Sequence, residues 1–309
     1  MIYTVTLNPA LDIIYTSNDF NMESYTPSDT TYKFPGGKAL NVTRMLAKLN
    51  VPSIATGFLG GFTGDFVQKF LTDVEIYNEF IEIEDDTRIN VRLRTKDKNV
   101  TIAGVNPSVP ERAIQDLLFL LAQIREGDIL VMGGSIPKNV SPDIYSRIAE
   151  ICKSNKAEFV VDVPPQQMLD LLKYKPLLIK PNIENLAHMF DLDEITNELD
   201  IIKYGNKCIG LGAKNVIVSV GEDGAYLFTE KGEAFRSYGV KGKEVNSFNS
   251  RDAMIGGFLA VYMKTQDPME SFRMASACAS ATAFVEDLAD MNLTEEIYDE
   301  TIVEEIKLS

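Results

Sequence analysis

The chain has 309 residues, is 45% hydrophobic and 24% charged, and carries a formal net charge of −15. That length buries a sizeable core, and that charge disfavours nucleic acid and anionic membrane as partners. A single histidine, His188, excludes His-rich metal sites and leaves acid–base chemistry to Asp, Glu, Lys or Tyr.

Residues 1–7 alternate polar and apolar and read as a first strand. They lack the basic region and cleavage site of a leader, and no apolar run approaches the roughly 20 residues that span a bilayer. The expected location is the cytoplasm. Asn8-Pro9-Ala10-Leu11-Asp12 then reads as a turn that sets an amide and a carboxylate at the carboxyl end of this strand. Residues 15–34 are polar, rich in Tyr and Thr, and show no helical period. Phe34-Pro35-Gly36-Gly37-Lys38 is a glycine turn opening a helix to Leu49, a place suited to a phosphate or sugar hydroxyls.

A strand over 53–59 and a helix over 65–71 follow. Residues 87–103 alternate around a Lys96-Asp97-Lys98-Asn99 turn, as a hairpin does. Together with 15–34 this predicts a small lid outside the main sheet, whose apolar face favours a dimer. From 117 onward helices alternate with short apolar runs at 128–132, 159–162, 177–180 and 216–220. Such alternation predicts βαβ units and a parallel sheet covered on both faces, with ligands at the carboxyl ends of its strands. Polar or glycine-rich text stops several of these runs: Gly133-Gly134-Ser135, Lys180-Pro181-Asn182 and Ser219 to Gly224. Cys152, Cys208 and Cys278 are far apart among apolar residues and read as buried thiols. Finally, Val245 to Phe258 runs from a polar segment into a helix, with Asp252 expected in its first turn, beside unpaired N–H groups.

Taken in order, these segments resemble the PfkB group of ribokinase-like sugar kinases over nearly the whole chain, in the branch containing 1-phosphofructokinase and tagatose-6-phosphate kinase. The resembling text is Thr6 to Asp12, Gly36-Gly37-Lys38 with Asn41, Gly60 to Asp65, Thr87 to Val91, Gly134 to Pro137, Lys180 to Asn182, Val218 to Ala225, Val245 to Asp252 and Ala279 to Phe284. The resemblance implies one ribokinase-like α/β unit over 1–309: a doubly wound, mostly parallel sheet flanked by helices. A β-lid from about 13–35 and 87–105 would close over the sugar and pair two subunits. It implies transfer of the γ-phosphoryl group of ATP, with Mg2+, to a ketohexose phosphate, fructose-1-phosphate first and tagatose-6-phosphate next.

On that resemblance Asp12, Gly37, Lys38, Asn41, Arg88 and Ser135 hold the sugar phosphate, with Lys38 and Arg88 neutralising its phosphate. Asp252 is the base, and Asn249, Ser250 and Arg251 present backbone N–H groups to the transferring phosphoryl. Asn182, Ser219, Gly221 and Gly224 line the nucleotide site, with a loop around Ser276 to Ser280 near adenine. Asn182 and, less directly, Glu184 attend the metal.

The departures fall on the chemistry. The family's Gly-Ala-Gly-Asp is Asn249-Ser250-Arg251-Asp252 here, so a left-handed backbone stays open to Asn249 but would be strained at Arg251. The family's Asn-x-x-Glu is Asn182-Ile183-Glu184-Asn185, and Ala39 replaces a glycine. These departures carry a second expectation: a weakened or inactive homologue that binds a sugar phosphate or a partner. A dinucleotide-dependent dehydrogenase is disfavoured, because no Gly-x-Gly-x-x-Gly follows the first strand.

Overall fold

The computed structural model describes residues 1–18, 20–21, 23–96, 99–245 and 247–307. In chain order the first half contains β1 (Ile2–Thr6), β2 (Ala10–Ser17), β3 (Thr30–Gly36), α1 (Lys38–Lys48), β4 (Ser53–Gly60), α2 (Gly61–Asp73), β5 (Tyr77–Ile83), β6 (Arg88–Thr95), β7 (Asn99–Ile102), α3 (Glu111–Leu121), β8 (Ile129–Gly133) and α4 (Ile144–Ser154). The second half contains β9 (Glu158–Asp162), α5 (Pro165–Leu171), β10 (Leu178–Ile179), α6 (Ile183–Met189), α7 (Glu198–Gly210), β11 (Asn215–Ser219), β12 (Ala225–Thr229), β13 (Ala234–Ser237), α8 (Ser247–Thr265), α9 (Pro268–Ala283), α10 (Met291–Glu300) and β14 (Val303–Glu305).

Ten strands form the main sheet in the order β14-β13-β12-β11-β10-β9-β8-β1-β4-β5. From β11 to β5 every neighbour is parallel, and β12 to β14 extend the sheet antiparallel. The central strands are apolar throughout because helices cover both faces. Leu130, Met132, Phe159 and Val161 pack into one core layer, while Ile129, Val131 and Val160 pack into the layer opposite. Register matters for function. Thr6 pairs with Gly133, and Gly133 with Asp162, so β1, β8 and β9 end level with one another.

A second sheet, β3-β2-β6-β7, occupies the segments expected to form the lid, and that label is kept for it. It starts earlier than the polar stretch suggests. The expected turn at 8–12 is largely strand, because Ala10 pairs with Gly36 and Asp12 pairs with both Phe34 and Asn90. Period-2 alternation then divides its side chains. Asp12, Asn90 and Arg92 share one face, and Tyr15, Leu93 and Val100 share the other. The tip expected at Asp97-Lys98 lies outside the described residues. An ion pair from Arg94 on β6 to Glu286, beyond α9, ties the lid to the body.

Helix α8 also departs from expectation. It begins at Ser247, so Asp252 stands in its second turn rather than its first; Asn246 lies outside the described residues. The reason is local. Asn249, Ser250 and Arg251 are all helix-competent, and none has positive φ, so the helix runs back through the segment and the expected left-handed strain does not arise. Two glycines seat this helix. A Cβ on Gly256 would meet Met45 of α1 at 2.8 Å, and one on Gly257 would meet Cys278 of α9 at 2.6 Å. Close approach on both sides brings the start of α8 against α1. The three cysteines are buried and unpaired, and burial pushes the Cys152 and Cys208 thiols up to about 12. No helix among the described residues is long and apolar enough to cross a membrane.

Candidate active site

The carboxyl ends of β1, β8 and β9, the start of α8 and the inner face of the lid enclose two adjoining cavities. The larger, about 430 Å3, is lined by Asp12, Gly37, Lys38, Asn41, Arg88 and Ser135, with Arg251 and Asp252 opposite. The smaller, about 140 Å3, is lined by Lys38, Asp162, Lys180, Asn182, Asn185, Phe248, Arg251 and Asp252. The two share Lys38, Asn185, Phe248, Arg251 and Asp252, so they form one cleft.

The lid wall is a hydrogen-bonded array. The Asp12 carboxylate accepts from Asn90 Nδ2 at 2.8 Å and from Arg92 Nη2 at 2.9 Å. Arg92 also lies over the Phe248 ring at 3.9 Å, which joins the lid to the first turn of α8. Arg88 donates to the carbonyl oxygens of Asn8 and Pro9, which turns its guanidinium along the bend between β1 and β2. Asn8 Nδ2 donates to Ser135 Oγ at 3.1 Å, carrying the wall to the end of β8. Burial draws the affinity of Arg88 and Arg92 for protons down, with Asp12 opposing. Arginine starts so high that both stay charged.

At the floor, Gly37 caps α1 with φ of 134°, a backbone conformation natural to glycine. Lys38 and Asn41 then fall on the first turn, facing the cleft. Asn41 Nδ2 donates to Asp252 Oδ2 at 2.9 Å and lies 3.4 Å from Asn249 Oδ1. Asp252 is buried, and that burial, with Asp162 nearby, raises its carboxyl to about 6 against the pull of Asn41, Lys180 and Lys38. A carboxylate so poised is ionised at neutral pH and still basic enough to take a proton from a hydroxyl.

Asp162, the last residue of β9, bonds Lys38 Nζ at 3.0 Å and lies 3.7 Å from Lys180 Nζ. Burial alone would raise its carboxyl, but Lys180 and Lys38 outweigh that and hold it below the ordinary range. Lys38 is drawn upward by Asp162. Lys180 is drawn downward by its burial, with Asp162 opposing. Five cations, Lys38, Arg88, Arg92, Lys180 and Arg251, line the cleft against three carboxylates, Asp12, Asp162 and Asp252. A protein of net charge −15 has thus gathered positive charge where an anion would sit.

The remaining expected residues take distinct places. Asn249 and Ser250 lie in the first turn of α8, Asn249 at a position whose backbone N–H lies ahead of the first intrahelical bonds. Asn182 caps α6, its side chain accepting from the Asn185 N–H at 2.8 Å, and bridges to Ser219 at the end of β11. Gly221 and Gly224 flank the tight turn from β11 to β12. Ser276 and Ser280 are not in a loop. They sit one turn apart in α9, whose apolar small-residue face keeps the helix going to Ala283, and Ser276 Oγ is buried without a protein partner. None of Ser219, Gly221, Gly224, Ser276 and Ser280 lines the two cavities. Glu184 is exposed on α6 and does not line the cleft, whereas Asn185 does, as the 100° step per helical residue requires.

A scan of family models matches the pfkB family of carbohydrate kinases over residues 6–295. The chain belongs to the pfkB family of carbohydrate kinases. It is 40% identical over 303 residues to the 1-phosphofructokinase of Bacillus subtilis, covering 98% of this chain and 99% of that one. It is 34% identical over 292 residues to the D-tagatose-1-phosphate kinase of Bacillus licheniformis, covering 94% and 95%. Its fold superposes with a TM-score of 0.88 and 37% identity, over the full length of both chains, on a crystal structure from Staphylococcus aureus provisionally described as a phosphofructokinase. The ribokinase-like, mostly parallel α/β architecture expected from the sequence is the one observed.

Proposed function

We propose that this pfkB kinase transfers the γ-phosphoryl group of MgATP to a hydroxyl of a ketohexose phosphate, with fructose-1-phosphate as acceptor ahead of a tagatose phosphate. The observation that carries this is the bond from Asn41 to Asp252, which brings a carboxylate poised at about 6 into one cleft with Asp12 and Lys38. The names of its relatives supply the acceptor class.

In this reading Asp12, Asn41 and Asn90 accept from or donate to sugar hydroxyls, and Ser135 with Gly37 borders the ring. Arg88 and Arg92 face the phosphate the sugar already bears. Lys38, Lys180 and Arg251, with the first-turn N–H of α8 at Asn249, meet the charge that develops on the transferring phosphoryl. Asp252 takes the hydroxyl proton. The nucleotide lies along the ends of β10 and β11, past Asn182, Ser219, Gly221 and Gly224, toward Ser276 and Ser280.

Among the described residues no cluster of three or more His, Cys, Asp or Glu could hold a metal. A divalent ion would come with the nucleotide phosphates and keep several of its waters, as Mg2+ does. Asn182 and Asn185 would offer neutral oxygens to such an ion, whereas Glu184 is exposed and outside the cleft lining.

Purified protein given MgATP and each ketohexose phosphate should release ADP, fastest with fructose-1-phosphate. Turnover no greater than that of an Asp252→Asn control would overturn the proposal. If calorimetry then still showed sugar-phosphate binding, a binding homologue without efficient transfer would replace it, a reading favoured by Asn185 standing where the family has Glu.

We assign the same protein to the cytoplasm and to a homodimer joined through the lid. The outward lid face carries Tyr15, Val100 and Ile102, the last two 46% and 64% exposed, an apolar edge that a second copy would cover. Sedimentation equilibrium should give twice 34.4 kDa. A monomer at micromolar concentration would refute the lid dimer.

A further inference from the structure

Asp162 has no place in the function just proposed, yet it is buried in the cleft between two of its cations. Its side chain is 3% exposed. One oxygen accepts from Lys38, which enters from the first turn of α1, and the other faces Lys180, which follows β10. That second oxygen has no hydrogen bond of its own. The two lysines differ sharply: Lys180 is 2% exposed and Lys38 is 42% exposed along its side chain. Asp162 thus ties one buried and one open cation, from separate segments, to the end of a central strand. All three line the smaller cavity together with Asp252.

An ordinary buried ion pair would not need this arrangement. A carboxylate with two ammonium partners leaves net positive charge, and that charge faces the space between Arg251 and Asp252. Flexible lysines lose their value as anion ligands when they wander, and a rigid strand end removes that freedom. We propose that Asp162 is a positioning residue of the phosphoryl-transfer site: it fixes Lys38 and Lys180 beside Asp252 and sets the balance of charge that Asp252 experiences. This rests on the kinase reading for its consequence in turnover, but the charge balance can be tested without substrate.

The groups facing Asp252 are known. Asp162 pushes its carboxyl up, while Asn41, Lys180 and Lys38 pull it down. Arg92, from the lid, also feels the Asp252 charge, and Arg251 is its chain neighbour. Replacing Asp162 removes the acidic group that pushes this carboxyl up and leaves the pull of Lys38 and Lys180, so the Asp252 carboxyl should titrate lower. Replacing Lys180 should do the reverse.

The experiment is a carboxyl-carbon NMR titration of Asp252 alongside the pH dependence of turnover, in wild type, Asp162→Asn and Lys180→Gln. The expected result is a midpoint moved down by about one pH unit in Asp162→Asn and up by a similar amount in Lys180→Gln. Turnover at the optimum should fall roughly 10- to 100-fold in Asp162→Asn with the KM for sugar phosphate changed much less. Should Asp162→Asn fail to fold, Lys180→Gln still reads the coupling from the other side. Midpoints that stay at the wild-type value in the folded variants would overturn the inference and leave Asp162 a structural ion pair. A wild type without turnover would sink the kinase reading alone, since the titration needs no substrate.

Discussion

Asp252→Asn should lower turnover by about a thousandfold or more while leaving sugar-phosphate binding nearly intact. General bases contribute about 10²- to 10⁴-fold, and an asparagine amide keeps the shape needed beside Asn41 but cannot accept the proton. The fold should not suffer. A carboxyl raised above its ordinary value is one whose ionisation the folded state resists. At neutral pH the ionised Asp252 therefore costs stability, and the neutral amide removes that cost. Denaturant midpoints for the variant at pH 7 should be equal to or above wild type, which separates lost chemistry from lost structure. The same burial sets the pH profile. Asp252 works as its carboxylate, so kcat/KM should fall as pH drops through about 6, well above the range of an exposed aspartate. A profile flat down to pH 5, or a variant within tenfold of wild type, would remove Asp252 from the role of base.

Much of this arrangement is legible in the chain because physics leaves marks with short periods. Apolar runs such as Ile129 to Met132 and Phe159 to Val161 signal strands buried on both faces, and the polar text that stops them signals the ligand end of the sheet. The lid is legible from alternation at 87–103, although β2 extends back over Asp12. A Pro-containing turn signal at 8–12 was outweighed there by pairing with both β3 and β6. Arg92 escapes sequence reading, but its signal exists. It shares the alternation that puts Arg88 and Asn90 on the inner face of β6, so Arg88 found there predicts that Arg92, four positions on, shares its face. Asp162 stands at a strand end like the other polar groups singled out, yet nothing local distinguishes it, because its partners are 124 and 18 residues away. The exact start of α8 is likewise a tertiary matter. Local text is compatible with a loop or a helix at 249–251, and packing of Gly256 and Gly257 on α1 and α9 holds the whole segment in one helix.

Arg251→Met should reduce turnover by about 10²- to 10³-fold, the range seen when one preorganised charge or donor is taken from a developing anion. Arg251 stands where the motif that the sequence resembles has a glycine, in the cavity that also holds Lys38, Lys180 and Asn185. Asn185 in turn stands where that pattern has a glutamate. One substitution adds a fixed cation to the cleft and the other removes a carboxylate, so both shift the local charge in the same direction. That shared direction makes the cleft more favourable to the charge of a transferring phosphoryl. Arg251 is exposed to the cleft rather than packed into it, and its charge is felt at both Asp162 and Lys180. Methionine preserves helix propensity and length without charge, so the start of α8 should stay in place. Lysine at 251 should restore part of the rate, as a point charge without the planar fork. The alternative is that Arg251 fills space the γ-phosphate needs. In that case Arg251→Met would match or exceed the wild-type rate, and the double change Asn249→Gly with Arg251→Gly would raise it further despite loosening the helix by about 1 kcal/mol per glycine. Steady-state turnover at saturating MgATP, compared across these variants, decides which of the two the guanidinium does.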